Sequence, residues 1–222
     1  MKISTITTVG VVVILFGGTV GLQQYISSQI TSKVQQEMPN ASGVSASVPL
    51  ADMPSNLTSD FIKSANINIK SFALKESGTK TSLEISALNI SKDKPTLFGT
   101  LQVTATIPAS TITESSEFNE AQIVGNTLQV AVGAGGIGTA TLIPKYSDSQ
   151  LYFELQSVSI FGNHVPASSL SANLQNQIKS SSQRSLTPPK GLKVESVSLS
   201  KDGLSVKMFG NNVQLGNLGS GL

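Results

Sequence analysis

Three glycines in the stretch "GAGGIG", namely Gly133, Gly135 and Gly138, have the spacing of a dinucleotide-binding loop. Such a site also needs a helix directly after the loop, because the free N–H groups of a helix N-terminus hold the pyrophosphate. The residues that follow, "TATLIPKY", are rich in β-branched types and lead into a proline, which is typical of a strand. We therefore predict that the glycines serve backbone geometry, in a flexible hairpin or where another surface approaches closely, and bind no nucleotide.

The titratable residues form no pattern that favours catalysis. His164 is the only histidine and follows a Gly-Asn pair, so an exposed turn residue is expected, although any Ser-His-Asp site would have to use it. Glu114, Glu117 and Glu120 are spaced to share one helix face, which predicts a solvated face; a cation site or a lipid-headgroup contact is the alternative. The absence of cysteine excludes thiolate metal sites, cysteine nucleophiles and disulfides. The sequence thus predicts no enzyme, no metal and no cofactor.

Charge and length limit the remaining functions. The chain has 222 residues, enough for one domain or two small ones, and only 13% of them are charged. The 15 lysines and arginines are scattered and the net charge is +2, whereas a nucleic-acid binder needs a basic stripe. We expect no nucleic-acid partner.

The N-terminus carries an uncharged run from Ile3 to Leu22. Twenty helical residues span about 30 Å, one bilayer core, so residues 1–22 are predicted to be a membrane anchor. A cleaved signal peptide is the alternative, but no alanine for a typical cleavage site occurs before Ala41. Lys2 favours an N-terminus on the cytoplasmic side, which predicts a single-pass protein of the cytoplasmic membrane with the bulk of the chain outside.

Residues 23–38 continue this helix with one apolar stripe formed by Leu22, Ile26, Ile30 and Val34. The period then changes to two from residue 65 onward, which predicts antiparallel strands with one apolar face. In two of these strands the alternation slips, between Ile69 and Phe72 and between Ile85 and Leu88, as at a β-bulge. Turn signals such as Asp202-Gly203 separate the strands.

Two helices are expected among the strands, at residues 108–123 and 166–181. Residues 39–216 then form one α+β domain, and residues 217–222 a flexible tail. Such a sheet has few amphipathic helices to cover it, so part of its apolar face must meet a partner, a second sheet or a ligand.

Several stretches together resemble the LmeA-like phospholipid-binding proteins of actinobacterial cell envelopes. The similarity covers roughly residues 22–216 and is strongest at Pro189 with Gly191-Leu192, at Asp202-Gly203-Leu204, and at Gly210 before Val213 and Leu215. Where family members often have Gly-Phe-Pro near the start of the domain, this chain has Ser47-Val48-Pro49. The resemblance implies a tubular lipid-binding fold, in which a long twisted antiparallel sheet wraps around helices and leaves an apolar groove.

The predicted function is therefore binding or transfer of phospholipid or another acyl lipid by a membrane-anchored extracytoplasmic domain that maintains the cell envelope. A surface-displayed β-rich domain that binds protein or glycan, with no lipid cavity, is the alternative. The groove candidates are apolar residues on alternating strand faces: Leu101, Val103, Leu128, Val130, Phe153, Leu155, Leu204, Val206 and Met208.

Overall fold

The computed structural model describes residues 18–73, 80–93, 95–115, 120–132 and 138–221. Within them the chain is mostly antiparallel sheet with a few helices, in agreement with the predicted α+β class. The helices are α1 (Gly18–Glu37), α2 (Met53–Thr58), α3 (Ala109–Ser115), α4 (Ala172–Ser182) and α5 (Leu215–Gly221). The strands are β1 (Ala41–Ser47), β2 (Phe61–Ala73), β3 (Lys80–Ser91), β4 (Leu97–Pro108), β5 (Gln122–Val124), β6 (Thr127–Val132), β7 (Gly138–Ser147), β8 (Gln150–Ile160), β9 (Asn163–Pro166), β10 (Arg184–Ser185), β11 (Lys193–Ser200) and β12 (Gly203–Gln214).

The strands form two sheets rather than the single long sheet that was expected. Sheet A has the order β1-β2-β3-β4-β12-β11, and sheet B has the order β10-β8-β7-β6-β5, with β9 also paired to β8. Every neighbouring pair is antiparallel. The slip predicted in the second strand is confirmed as a register shift between Ile69 and Phe72.

Helix α1 ends at Glu37, one residue before the predicted end at residue 38. Its apolar stripe packs on sheet A. The residues of the predicted anchor before Gly18 lie outside the described ranges. Among the helices that are described, none is long and apolar enough to cross a membrane. The anchor therefore stays a prediction from the sequence.

A row of unusual residues crosses sheet A at Asn89, Gly99 and Asn212. Their neighbours in β3, β4 and β12 are paired in register, so the three residues lie opposite one another. Both asparagines have positive φ, 51° and 53°, a conformation that asparagine tolerates better than most residues. In all three strands the buried residues alternate, and at this row the alternation shifts by one residue. The shift keeps the apolar side chains on one face of the sheet. The slip predicted between Ile85 and Leu88 occurs instead at Asn89, and Leu88 is exposed.

Both helices predicted among the strands are shorter than expected. Helix α3 ends at Ser115, and Ile123 of the predicted helix 108–123 pairs with Leu128 in the β5–β6 hairpin, because its broken apolar stripe could not bury a longer helix. In the predicted helix 166–181, Pro166 instead ends β9, where an edge strand tolerates the missing N–H. Helix α4 begins only at Ala172.

The predicted flexible tail after residue 216 is wrong for the described residues. Residues Leu215–Gly221 form helix α5, and the side chain of Leu218 is only 1% exposed. Leu218 packs into the same apolar cluster as α1, so the C-terminal segment is part of the fold.

Two apolar clusters hold the molecule together. The first core lies between α1 and sheet A and includes Ile30, Val34 and Leu83, and the second core lies on sheet B and includes Ile112, Ile178 and Leu142. The β11–β12 hairpin joins them, because Val206 and Met208 belong to the first core whereas Leu199 and Leu204 belong to the second.

Candidate functional site

Among the described residues, those that looked capable of chemistry are not brought together. Gly133 and Gly135 lie outside the described residues, and Gly138 opens strand β7, so the prediction that a strand and no helix follows the glycines is confirmed. His164 is an exposed residue of β9 opposite Ser159.

The predicted glutamate face does not form within the described residues. Glu114 is exposed near the end of α3, Glu117 lies outside the described ranges, and Glu120 follows the helix with a positive φ of 52°. Across the part of the chain that the structure describes, no three His, Cys, Asp or Glu residues are close enough to hold a metal ion.

The nine groove candidates are divided between the two cores. Eight of them are buried, with exposed fractions of 4% or less, and Phe153 is half-buried. The first core contains Leu101, Val103, Val206 and Met208; the second contains Leu128, Val130, Leu155 and Leu204, with Phe153 packed against it. In this conformation the nine side chains are therefore packed against protein, and they do not line one open groove.

A small depression lies at the C-terminal end of α1. It has a volume of about 90 Å³ and is lined by residues that include Lys33, Glu37, Thr96 and Leu215. Ligand sites usually have volumes of roughly 300–1,000 Å³, so this one is too small for an acyl chain. None of the nine groove candidates lines it.

The first core is incompletely covered where α1 lies against the edge strand β1. Along α1 the exposed fraction rises from 1% at Val34 to 7% at Ile30, and Ile26 and Leu22 are only half-buried. The side-chain Nε2 of Gln23 donates a hydrogen bond of 2.7 Å to the carbonyl oxygen of Val48, which ties the start of α1 to the end of β1.

We call this contact the α1–β1 seam and define it by four half-buried apolar residues that pack on the first core: Leu22, Ile26, Val44 and Ala46. Leu22 and Ile26 were visible in the sequence as part of a helical stripe. The β1 residues were missed because serine and glycine surround them, although the alternation of Val44, Ala46 and Val48 was a signal for a strand.

Next to the seam, a polar network fixes the segment between β1 and β2. The Asp52 carboxylate accepts a hydrogen bond of 2.6 Å from the Ser64 hydroxyl and forms an ion pair of 3.0 Å with the Lys63 ammonium group. The Ser64 hydrogen bond, followed by Lys63, lowers the pKa of Asp52 below its usual value. Asn56 is 1% exposed, and its Oδ1 accepts a hydrogen bond of 2.8 Å from the backbone N–H of Lys63.

One motif that carried the family resemblance has a structural role. A Cβ atom at Gly210 would overlap the carbonyl oxygen of Gly191, so β12 can pass this close to the loop before β11 only with glycine at that position. Comparison of the chain with models of protein families, with curated proteins and with solved structures found no match in any of the three. The resemblance to LmeA-like proteins stays a prediction.

Proposed function

We propose that this chain is a membrane-anchored extracytoplasmic protein that binds or transfers phospholipid or another acyl lipid. The observation that carries the proposal is the decreasing burial of the α1 stripe toward the predicted anchor, from Val34 to Leu22. The seam beside this part of α1 offers apolar side chains to a ligand at the end of the domain that is next to the predicted membrane segment. A lipid would reach it with little exposure of its chains to water.

The seam suits an acyl chain chemically. Its side chains are aliphatic and supply no directional polar contact, which hydrocarbon does not need. Removal of a methylene from water contributes about 0.8 kcal/mol, and a lipid in a bilayer already has this gain. Movement of a chain from the bilayer to the seam therefore changes the free energy little and is reversible. Binding would push α1 away from β1, and β1 is an edge strand that pairs only with β2.

The tubular lipid-binding architecture belongs to the same proposal. A six-stranded antiparallel sheet with a helix against its apolar face is compatible with it. In that arrangement the four groove candidates of the first core form the floor beneath α1, and they would meet lipid only when α1 moves. The five candidates of the second core would have no part in binding.

The alternative is a surface-displayed β-rich domain that binds protein or glycan and has no lipid cavity. The burial of eight groove candidates favours it, because packed cores need no ligand to cover them. In this case the seam would be an ordinary edge of the first core.

Substitution of Ile26 by tryptophan distinguishes the two. Ile26 is half-buried, so an indole at this position would occupy part of the seam. Ile160→Trp, at an exposed position of β8, is the matched control. We expect native mass spectrometry of the full chain released from detergent micelles to show a bound phospholipid for the wild type and for Ile160→Trp, and a several-fold smaller bound fraction for Ile26→Trp.

Equal bound fractions in all three proteins would contradict binding in the seam. That result would identify the lipid as a layer around the N-terminal segment, which is unchanged in both variants.

A further inference from the structure

The distance between the predicted anchor and the folded domain is very short. The predicted span ends at Leu22, and the next residue, Gln23, already forms the hydrogen bond to Val48. A helix advances about 1.5 Å per residue, so the bonded residue lies within one helical turn of the end of the predicted span. The part of the domain next to Val48 must then lie at the membrane surface.

Large apolar side chains are exposed in that part of the domain. They are in the segment that directly follows Val48 and Pro49: Leu50 is 49% exposed, Leu57 is 58% exposed and Phe61 is 43% exposed. Helix α1 contacts both the short 3-10 turn that begins at Leu50 and helix α2, which carries Leu57. We call these three residues the apolar rim.

The fold itself holds these side chains outward. Met53 and Asn56 are the buried residues of α2, whereas Leu57, in the last turn of this short helix, is exposed. The Lys92 ammonium group donates hydrogen bonds of 2.6 Å to the carbonyl oxygens of Asn56 and Ser59, which attach α2 and the following turn to the end of β3. The exposure of the rim is therefore a property of a fixed structure, as expected of a contact surface.

We propose that the apolar rim inserts into the interfacial region of the same membrane that holds the N-terminal segment. The proposal rests on the membrane anchor of the proposed function. Docking would fix the orientation of the domain, and it would turn the α1–β1 seam toward the bilayer. Tyr25 is 37% exposed on α1, three residues after Leu22, at the level where aromatic residues with a polar tip favour the interface.

The charged residues around the rim are of both signs, so they give the rim no preference for a strongly anionic membrane. Lys63 and Lys92 are close to it, but Asp52, Asp60 and Asp93 are there as well. The contact is therefore apolar in origin, and zwitterionic lipid is sufficient for the test.

The experiment uses the full chain, which has no cysteine, in vesicles of phosphatidylcholine. Leu57→Cys and, as a second reporter, Leu50→Cys are labelled with an environment-sensitive dye. Phe161→Cys is the matched control, because Phe161 is 81% exposed in the β8–β9 turn of sheet B. We expect blue-shifted emission and quenching by spin-labelled lipid at both rim positions, and neither effect at residue 161.

Three results would overturn the proposal. Water-like emission at both rim positions in protein that resists a carbonate wash would contradict docking and leave the anchor intact. Blue-shifted emission without quenching by lipid would show that protein, such as a second copy of the chain, covers the rim. Release of the protein by the carbonate wash would contradict the predicted anchor, and the docking proposal, which rests on the anchor, would fail with it.

Discussion

At the scale of single residues, the structure explains the roles of several residues in the fold. Asn89, Gly99 and Asn212 form the row where the alternation of buried residues shifts in three strands of sheet A. Asp52 joins two segments through Ser64 and Lys63, and this pairing needs the ionised carboxylate. These residues stabilise sheet A and the segment that carries the rim. The sequence contained only weak signals for them.

Replacement of Gly99 by alanine should destabilise the fold by about 1–3 kcal/mol, since the new Cβ atom would lie 2.9 Å from the Cβ atom of Asn89 on the paired strand. Gly216→Ala is the matched control, because its Cβ atom would meet only the Glu37 side chain, at an ordinary 3.5 Å, and alanine favours the helix. Thermal unfolding of the detergent-solubilised chain, followed by circular dichroism, measures both. A Gly99→Ala variant as stable as Gly216→Ala would show that the row relaxes without cost.

At the scale of elements, the periodic spacing of apolar residues predicted most of the strands and helix α1. The alternation of Leu101, Val103 and Ala105 was sufficient because these three residues of β4 all face a core. Strand β1 was missed because polar and glycine residues dominate an edge strand. Helix length was overestimated at residues 108–123, where Ile112 of α3 faces a core but Ile123 already belongs to a hairpin.

The candidate site was predicted less well for a physical reason. Alternation identifies the side chains that leave water, but it does not distinguish a groove from a packed core. All nine candidates are on apolar faces, yet sheet topology assigns them to two cores. The seam depends on how α1 crosses β1, which is a contact between elements that no local pattern contains.

Val103→Trp tests whether these positions are a closed core. Val103 is fully buried, so the larger side chain should cost at least about 1–3 kcal/mol of stability. The control is Val124→Trp, at a position of β5 that is 41% exposed, where a surface substitution should change stability by less than about 0.5 kcal/mol. Urea unfolding of both proteins measures the difference. If Val103→Trp is as stable as the wild type and binds no phospholipid, the residue lines a groove as first predicted.

At the scale of the whole molecule, the parts of the domain that we propose to contact lipid, the seam and the rim, are both near the start of α1. The seam contains apolar side chains that are incompletely covered, and the rim places further apolar side chains beside it. The predicted span ends at Leu22, which is also the first residue of the seam. This arrangement connects the predicted anchor, the proposed docking surface and the proposed lipid site without a linker.

The most direct test of lipid binding is photo-crosslinking of the full chain in vesicles that contain phospholipid with a photoreactive group at the end of one acyl chain. A chain that has entered the seam reacts with Ile26, Val44 or Ala46, which lie beyond the end of the predicted span at Leu22. Mass spectrometry of the digested protein locates the modified residues. The account predicts crosslinks at these residues in addition to those in residues 3–22. Crosslinks confined to residues 3–22 would contradict it, because the protein would then contact acyl chains only through its anchor.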